Sequence, residues 1–186
     1  MIMKIIKETE KILEFEVECM TSEANAMRRT IIGGLPIYAI DKVVFYENNS
    51  TYFDEFIAHR IGLVPMKIPM KATEDSEEVM LTLNVSDRNV YSRDIKGEGD
   101  IKVANGDIPI VKLIENQSVR TECIARVGLG RAHAKFQAGI ASYTKVSDGK
   151  FKFMVESFGQ MKAKDMVLKA IDLIQANLEK VENAVE

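Results

Sequence analysis

Hydrophobic and polar positions follow two rhythms along this chain, one of period two and one close to 3.6. In "KILEFEVEC", Leu13, Phe15, Val17 and Cys19 alternate with Glu14, Glu16 and Glu18. That is a half-buried strand with a wet, acidic outer face. The preceding "MKIIKET" is expected to pair with it as a hairpin across the polar break at Thr9 and Glu10. In "TSEANAMRRTIIGGLP" the rhythm turns helical, with Ala24, Met27, Ile31 and Leu35 on one side. Thr21 or Ser22 is expected to cap this helix, and Glu23 suits its positive N-terminal end. Gly33, Gly34 and Pro36 end it. "YAIDKVVFYENNST" then reads as a strand stopped at Asn48 and Asn49. "YFDEFIAHRIGL" reads as a short helix carrying Phe53, Phe56, Ile57 and Ile61 on its inward face. Pro65 and Pro69 hold "VPMKIPM" extended.

From Val79 to Val146 the period is two, in "VMLTLNV", "SVRTECIARVGLG" and "GIASYTKV", with an Asn105-Gly106 turn between strands. "GKFKFMVESF" is one more strand. The strongest periodicity closes the chain. Val167, Ile171, Ile174, Leu178, Val181 and Val185 are spaced 4, 3, 4, 3 and 4. This is a narrow apolar seam on a helix from about Met161 to Ala184. The short N-terminal helix can cover only part of it. The rest requires the terminal β segments or a second subunit. The expected fold class is α+β, with residues 1–37 and 150–186 forming one unit and residues 38–149 forming a β-rich unit inserted between them.

Composition narrows the function. Of 186 residues, 25 are basic and 28 acidic, a net charge of −3, which gives no overall pull toward nucleic acid. At 46% hydrophobic residues a core can be buried. No apolar run reaches the roughly 20 residues needed to span a bilayer. The N-terminal stretch "MIMKIIKETEK" lacks a secretory pattern, so a cytoplasmic location is expected. Cys19 and Cys123 have no CxxC spacing, and each is most simply a small core residue.

Candidate chemistry is sparse. His59 has Asp54 and Glu55 one turn away, which is the raw material of a general base. It lacks the further ligands that a metal site needs. His133 sits in "GLGRAHAKFQAG", which has neither a P-loop nor the third glycine of a dinucleotide fingerprint. A small enzyme using His59 and His133 requires the two to converge on one site. Arg28 and Arg29 project about 100° apart and cannot both face the core. They are either solvated charge or donors for a partner's carboxylates and carbonyls.

"SEANAMRRTIIGGLP", "DEFIAHRIGLVPM", "IPIVKL", "GLGRAHAKFQAG" and "FMVESFGQMKAKDMVLKAI", in that order, resemble the alpha-like D family of archaeal RNA polymerase subunits. This family is the counterpart of the bacterial alpha N-terminal region and of the third subunit of eukaryotic polymerase II. The resemblance covers essentially the whole chain. It implies a dimerisation domain built from both chain ends and a non-catalytic role. It also implies pairing with subunit L through the N- and C-terminal helices. The pair then forms a platform for small subunits N and P and the large catalytic subunits.

By the same resemblance, Val167, Ile171, Ile174, Leu178, Val181, Met27 and Ile31 lie at the heterodimer interface. Arg28 and Arg29, His59 and Arg60, and Arg131, His133 and Lys135 are contacts for the large subunits. A homodimer in the manner of bacterial alpha is the alternative. Relatives carry cysteine clusters for iron–sulfur or zinc. Here "HAKFQAGIASYTKVSDGKF" and "LNVSDRNVYSRDIKGEGD" contain no cysteine, so no metal or cofactor is expected. No segment corresponds to the DNA-binding C-terminal domain of bacterial alpha, so direct promoter contact by that route is not expected either.

Overall fold

The structure is a computed structural model that describes residues 3–67, 76–97 and 101–185. In chain order its elements are β1 (Met3–Glu8), β2 (Ile12–Glu18), α1 (Thr21–Gly33), β3 (Pro36–Asn48), α2 (Asp54–Gly62), β4 (Met66–Lys67), β5 (Val79–Ser86), β6 (Asn89–Tyr91), β7 (Lys96–Gly97), β8 (Lys102–Val103), β9 (Pro109–Lys112), β10 (Ser118–Leu129), β11 (Gly139–Ser147), β12 (Lys150–Ser157) and α3 (Ala163–Val185). Helices and antiparallel sheets are both present, and the fold is α+β. The part of "VPMKIPM" beyond Lys67 lies outside the described residues.

Two compact units divide the chain: residues 1–35 with 129–186, and residues 36–128. The second break therefore falls at Leu129, well before the expected one near Gly149. The reason is β11. Its alternation is that of a strand in any sheet, and it pairs with β12 along Gly139–Ser147. That places it in the four-stranded sheet of the terminal unit, ordered β1-β2-β12-β11.

In the terminal unit, Leu13, Phe15 and Val17 of β2 and Phe151, Phe153 and Val155 of β12 are buried on one sheet face. Phe15 and Phe153 stand opposite each other in register, their rings stacked at 5.1 Å. Each phenylalanine so buried contributes about 1.5–3 kcal/mol relative to exposure. Helix α1 packs on β11 and α3, and α3 on β12 and β2. The outer sheet face carries charges of alternating sign. Lys150 pairs with Glu16 at 2.8 Å and Lys152 with Glu14 at 3.0 Å. Hydrogen bonds from these lysines hold both carboxyls below the usual range.

The inserted unit holds a sheet ordered β3-β10-β5-β7 and two small ribbons, β4-β8 and β6-β9. Leu81, Leu83 and Val85 of β5 meet Val119, Cys123 and Val127 of β10 in a core closed by Ile57 and Ile61 of α2. The Asn105-Gly106 turn is held by buried Ser92, whose Oγ donates to the Asn105 carbonyl at 2.5 Å.

Candidate interaction surfaces

Helix α1 is not capped by Thr21 or Ser22. Met20 is the N-cap, and its backbone N–H donates to Glu23 Oε2 at 2.7 Å. The carboxylate at the third helical position thus satisfies the cap residue's own N–H, a different donor from those that a cap hydroxyl would serve. Ala24, Met27 and Ile31 face inward and are buried. Arg28 is half-buried and donates to Asn25 Oδ1 at 3.0 Å. Arg29 is exposed, with no hydrogen bond or ion pair among the described residues.

The end of α1 meets the "GLGRAHAKF" loop. Arg131 donates its backbone N–H to the Gly33 carbonyl at 3.1 Å. A Cβ on Gly130 would stand 2.5 Å from the Ile32 carbonyl oxygen and 3.2 Å from Gly33 Cα. Only glycine allows this backbone-on-backbone approach. Two groups far apart in sequence, Arg28 with Arg29 and Arg131 with its neighbours, are thus mounted on joined backbone. Buried Gln160 anchors the far side of the loop by donating to the Gln137 carbonyl at 3.0 Å. His133 is exposed, and its Nδ1 accepts the Lys135 backbone N–H at 3.1 Å. The Lys135 ammonium lies over the Phe136 ring, 5.1 Å from its centre. His133 and Lys135 thereby hold the loop's shape while Arg131 projects outward.

The seam of α3 divides. Val167 is buried, and Ile171 and Ile174 are half-buried. Leu178, Val181 and Val185 are 64%, 63% and 82% exposed. Met27, Ile31 and Val167, which the resemblance implies at the subunit interface, are buried within this chain. Their side chains are used up in the unit's own core, because α1 packs directly against α3. Sequence reasoning missed Met3 and Ile5. They stand opposite Val17 and Phe15 on β1, so they share the sheet's apolar face, yet both are exposed. The hint was apolar residues on both sides of an edge strand.

Helix α2 turns Ile57 and Ile61 inward. Phe53 and Phe56, expected to join them, are 79% and 44% exposed. Phe53 is the N-cap, in extended conformation, so helical phase does not apply to it. Phe56 lies one residue, about 100°, from Ile57. Its ring stacks on Tyr52 at 5.1 Å. His59 is exposed on the same helix. Arg60 is half-buried, and its Nη2 donates to the Pro109 carbonyl, joining α2 to β9. Arg60 Nε is buried without an acceptor.

Little here resembles a reaction centre. His59 and His133 belong to different units. Asp54, a candidate orienting carboxylate, accepts from Asn48 Nδ2 at 2.7 Å. Burial pushes the thiols of Cys19 and Cys123 up, which disfavours the reactive thiolate. Among the described residues no three His, Cys, Asp or Glu side chains cluster as metal ligands. No described helix is long and apolar enough to cross a membrane.

Residues 43–146 match the family model described as the RNA polymerase Rpb3/RpoA insert domain. Curated relatives agree. The chain is 39% identical to DNA-directed RNA polymerase subunit Rpo3 of Methanocaldococcus jannaschii over 166 residues, covering 89% of this chain and 85% of that protein. It is 42% identical to the subunit of the same name from Pyrococcus horikoshii, covering 75% of this chain and 58% of that protein. The Thermococcus kodakarensis subunit is 45% identical, with 64% of this chain and 49% of the relative covered. The chain thus spans most of the first relative and about half of the length of the other two. Similar both across the insert domain and over nearly its full length, the chain belongs to the RNA polymerase subunit family that includes archaeal Rpo3.

Proposed function

We propose that this chain is a non-catalytic assembly subunit of a cytoplasmic DNA-dependent RNA polymerase. It pairs with subunit L, and the heterodimer carries small subunits N and P and the large catalytic subunits. One observation carries this reading: the second half of α3 presents Leu178, Val181 and Val185 to solvent on the same seam that its first half buries. Exposed apolar surface in a continuous stripe marks a protein interface. Met3 and Ile5 extend the apolar surface offered by the same unit. Arg29 and Arg131, with Arg28, His133 and Lys135 supporting them, form a basic shoulder for a large subunit. Arg60 and His59 offer a second contact on the inserted unit. The role requires no metal or cofactor.

The test is the mass of the purified chain, alone and mixed with subunit L. A stable one-to-one heterodimer is expected. A monodisperse monomer that ignores subunit L overturns the pairing. A homodimer unaffected by subunit L replaces it with self-pairing as in bacterial alpha.

A further inference from the structure

Helix α2 carries more apolar surface than its own core consumes. Beside the exposed Tyr52–Phe56 stack lies a groove of about 330 Å³, walled also by Arg60, Tyr91, Ile110 and Lys112. Among the described residues lining it, Arg60 and Lys112 carry charge and none is a carboxylate. In a chain of net charge −3 this is a local cationic site with an apolar floor. The guanidinium of Arg60 spends Nη2 on the Pro109 carbonyl and leaves Nε buried without an acceptor. Aromatic rings beside an arginine are also the usual anchors of protein interfaces.

We propose that this groove docks an apolar peptide segment bearing a carboxylate, contributed by another subunit of the polymerase. An aliphatic side chain of that segment lies on the Tyr52–Phe56 stack, and its carboxylate faces Lys112 and Arg60. Single-stranded nucleic acid also uses aromatics and cations. A net charge of −3 gives the chain no general pull toward a polyanionic backbone, and two cations match a single carboxylate rather than a run of phosphates, so the surface favours a peptide. The source of the segment rests on the assembly role proposed above; the chemistry of the groove does not.

Fluorescence anisotropy on the full chain tests the chemistry. The probes are a short labelled peptide alternating leucine and aspartate, its leucine–lysine counterpart, and labelled oligouridylate. The aspartate peptide is expected to bind at least about tenfold tighter than the other two, a difference of about 1.4 kcal/mol. Phe56→Ser and Lys112→Glu, both exposed positions, are each expected to weaken it about tenfold. Thermal melting confirms that each variant is folded. Equal binding of the lysine peptide, tighter binding of oligouridylate, or indifference to Phe56→Ser overturns the proposal. Photo-crosslinking from Phe56→p-benzoylphenylalanine in reconstituted polymerase tests the source. The expected product joins a segment of another subunit with Asp or Glu within a few residues of the link. A crosslink to a segment without acid, or none in assembled enzyme, overturns that source. A chain that binds the aspartate peptide yet never enters the polymerase refutes the assembly role and leaves the groove standing.

Discussion

The two halves of α3 carry one seam and meet opposite fates. In the first half Ala163, Met166, Val167 and Ala170 are buried against the rest of their unit. Two of these are alanines, which let the helix sit close to its neighbours. In the second half Leu178, Val181 and Val185 reach into solvent. Ile171 and Ile174 mark the crossing. Burial of the first half stabilises this chain alone. The exposed second half contributes little to the isolated chain. Under the proposed pairing, α3 divides its free energy between folding and association, and substitutions along it separate the two.

Val167→Asp is expected to have the largest effect on the isolated chain. An unpaired polar group buried there costs on the order of 4 kcal/mol, and urea titration will show a large fall in midpoint. Ile174→Asp, half-buried, is expected to cost about 1–2 kcal/mol and also to impair pairing with subunit L. Leu178→Asp leaves the urea midpoint of the isolated chain within about 0.5 kcal/mol of the parent. It weakens heterodimer formation at least about tenfold, read by calorimetry. A clear loss of stability in Leu178→Asp shows that the exposed half packs within the chain after all. Leu168→Asp is expected to change both readouts least. Leu168 is exposed but lies one residue off the seam, so strong loss of pairing there means the seam is not the contact.

Much of this was legible in the sequence, and the failures share a cause. The alternation of Leu13, Phe15 and Val17 marks both the strand and its buried face, because burial on one side of a strand leaves a local pattern. The spacing from Val167 to Val185 likewise marks a helix with one apolar side. It does not say what covers that side, since coverage depends on residues distant in the chain. The same limit moved the inner boundary. Nothing in "GIASYTKV" reveals that its partner is β12, because pairing is not encoded in the period. At α2, Phe53, Phe56, Ile57 and Ile61 look like one apolar group, but the helix begins at Asp54 and its geometry splits them. Of the candidate contacts, Arg28, Arg29 and Arg131 were visible as charge near glycines. Their common mounting was not, since Gly130 and Gly33 meet only in three dimensions.

The order of strands β1-β2-β12-β11 also sets a timetable. Ribosomes deliver β2 early and β12 only after the whole inserted unit has been made. Domains fold as units during synthesis, so residues 36–128 can collapse while β2 still waits for its neighbour. Through that interval Leu13, Phe15 and Val17 belong to a hairpin that has a partner on one edge only. Such an apolar ribbon is open to capture by other nascent chains until Ser157 has cleared the exit tunnel. Slower elongation across the inserted unit lengthens that interval.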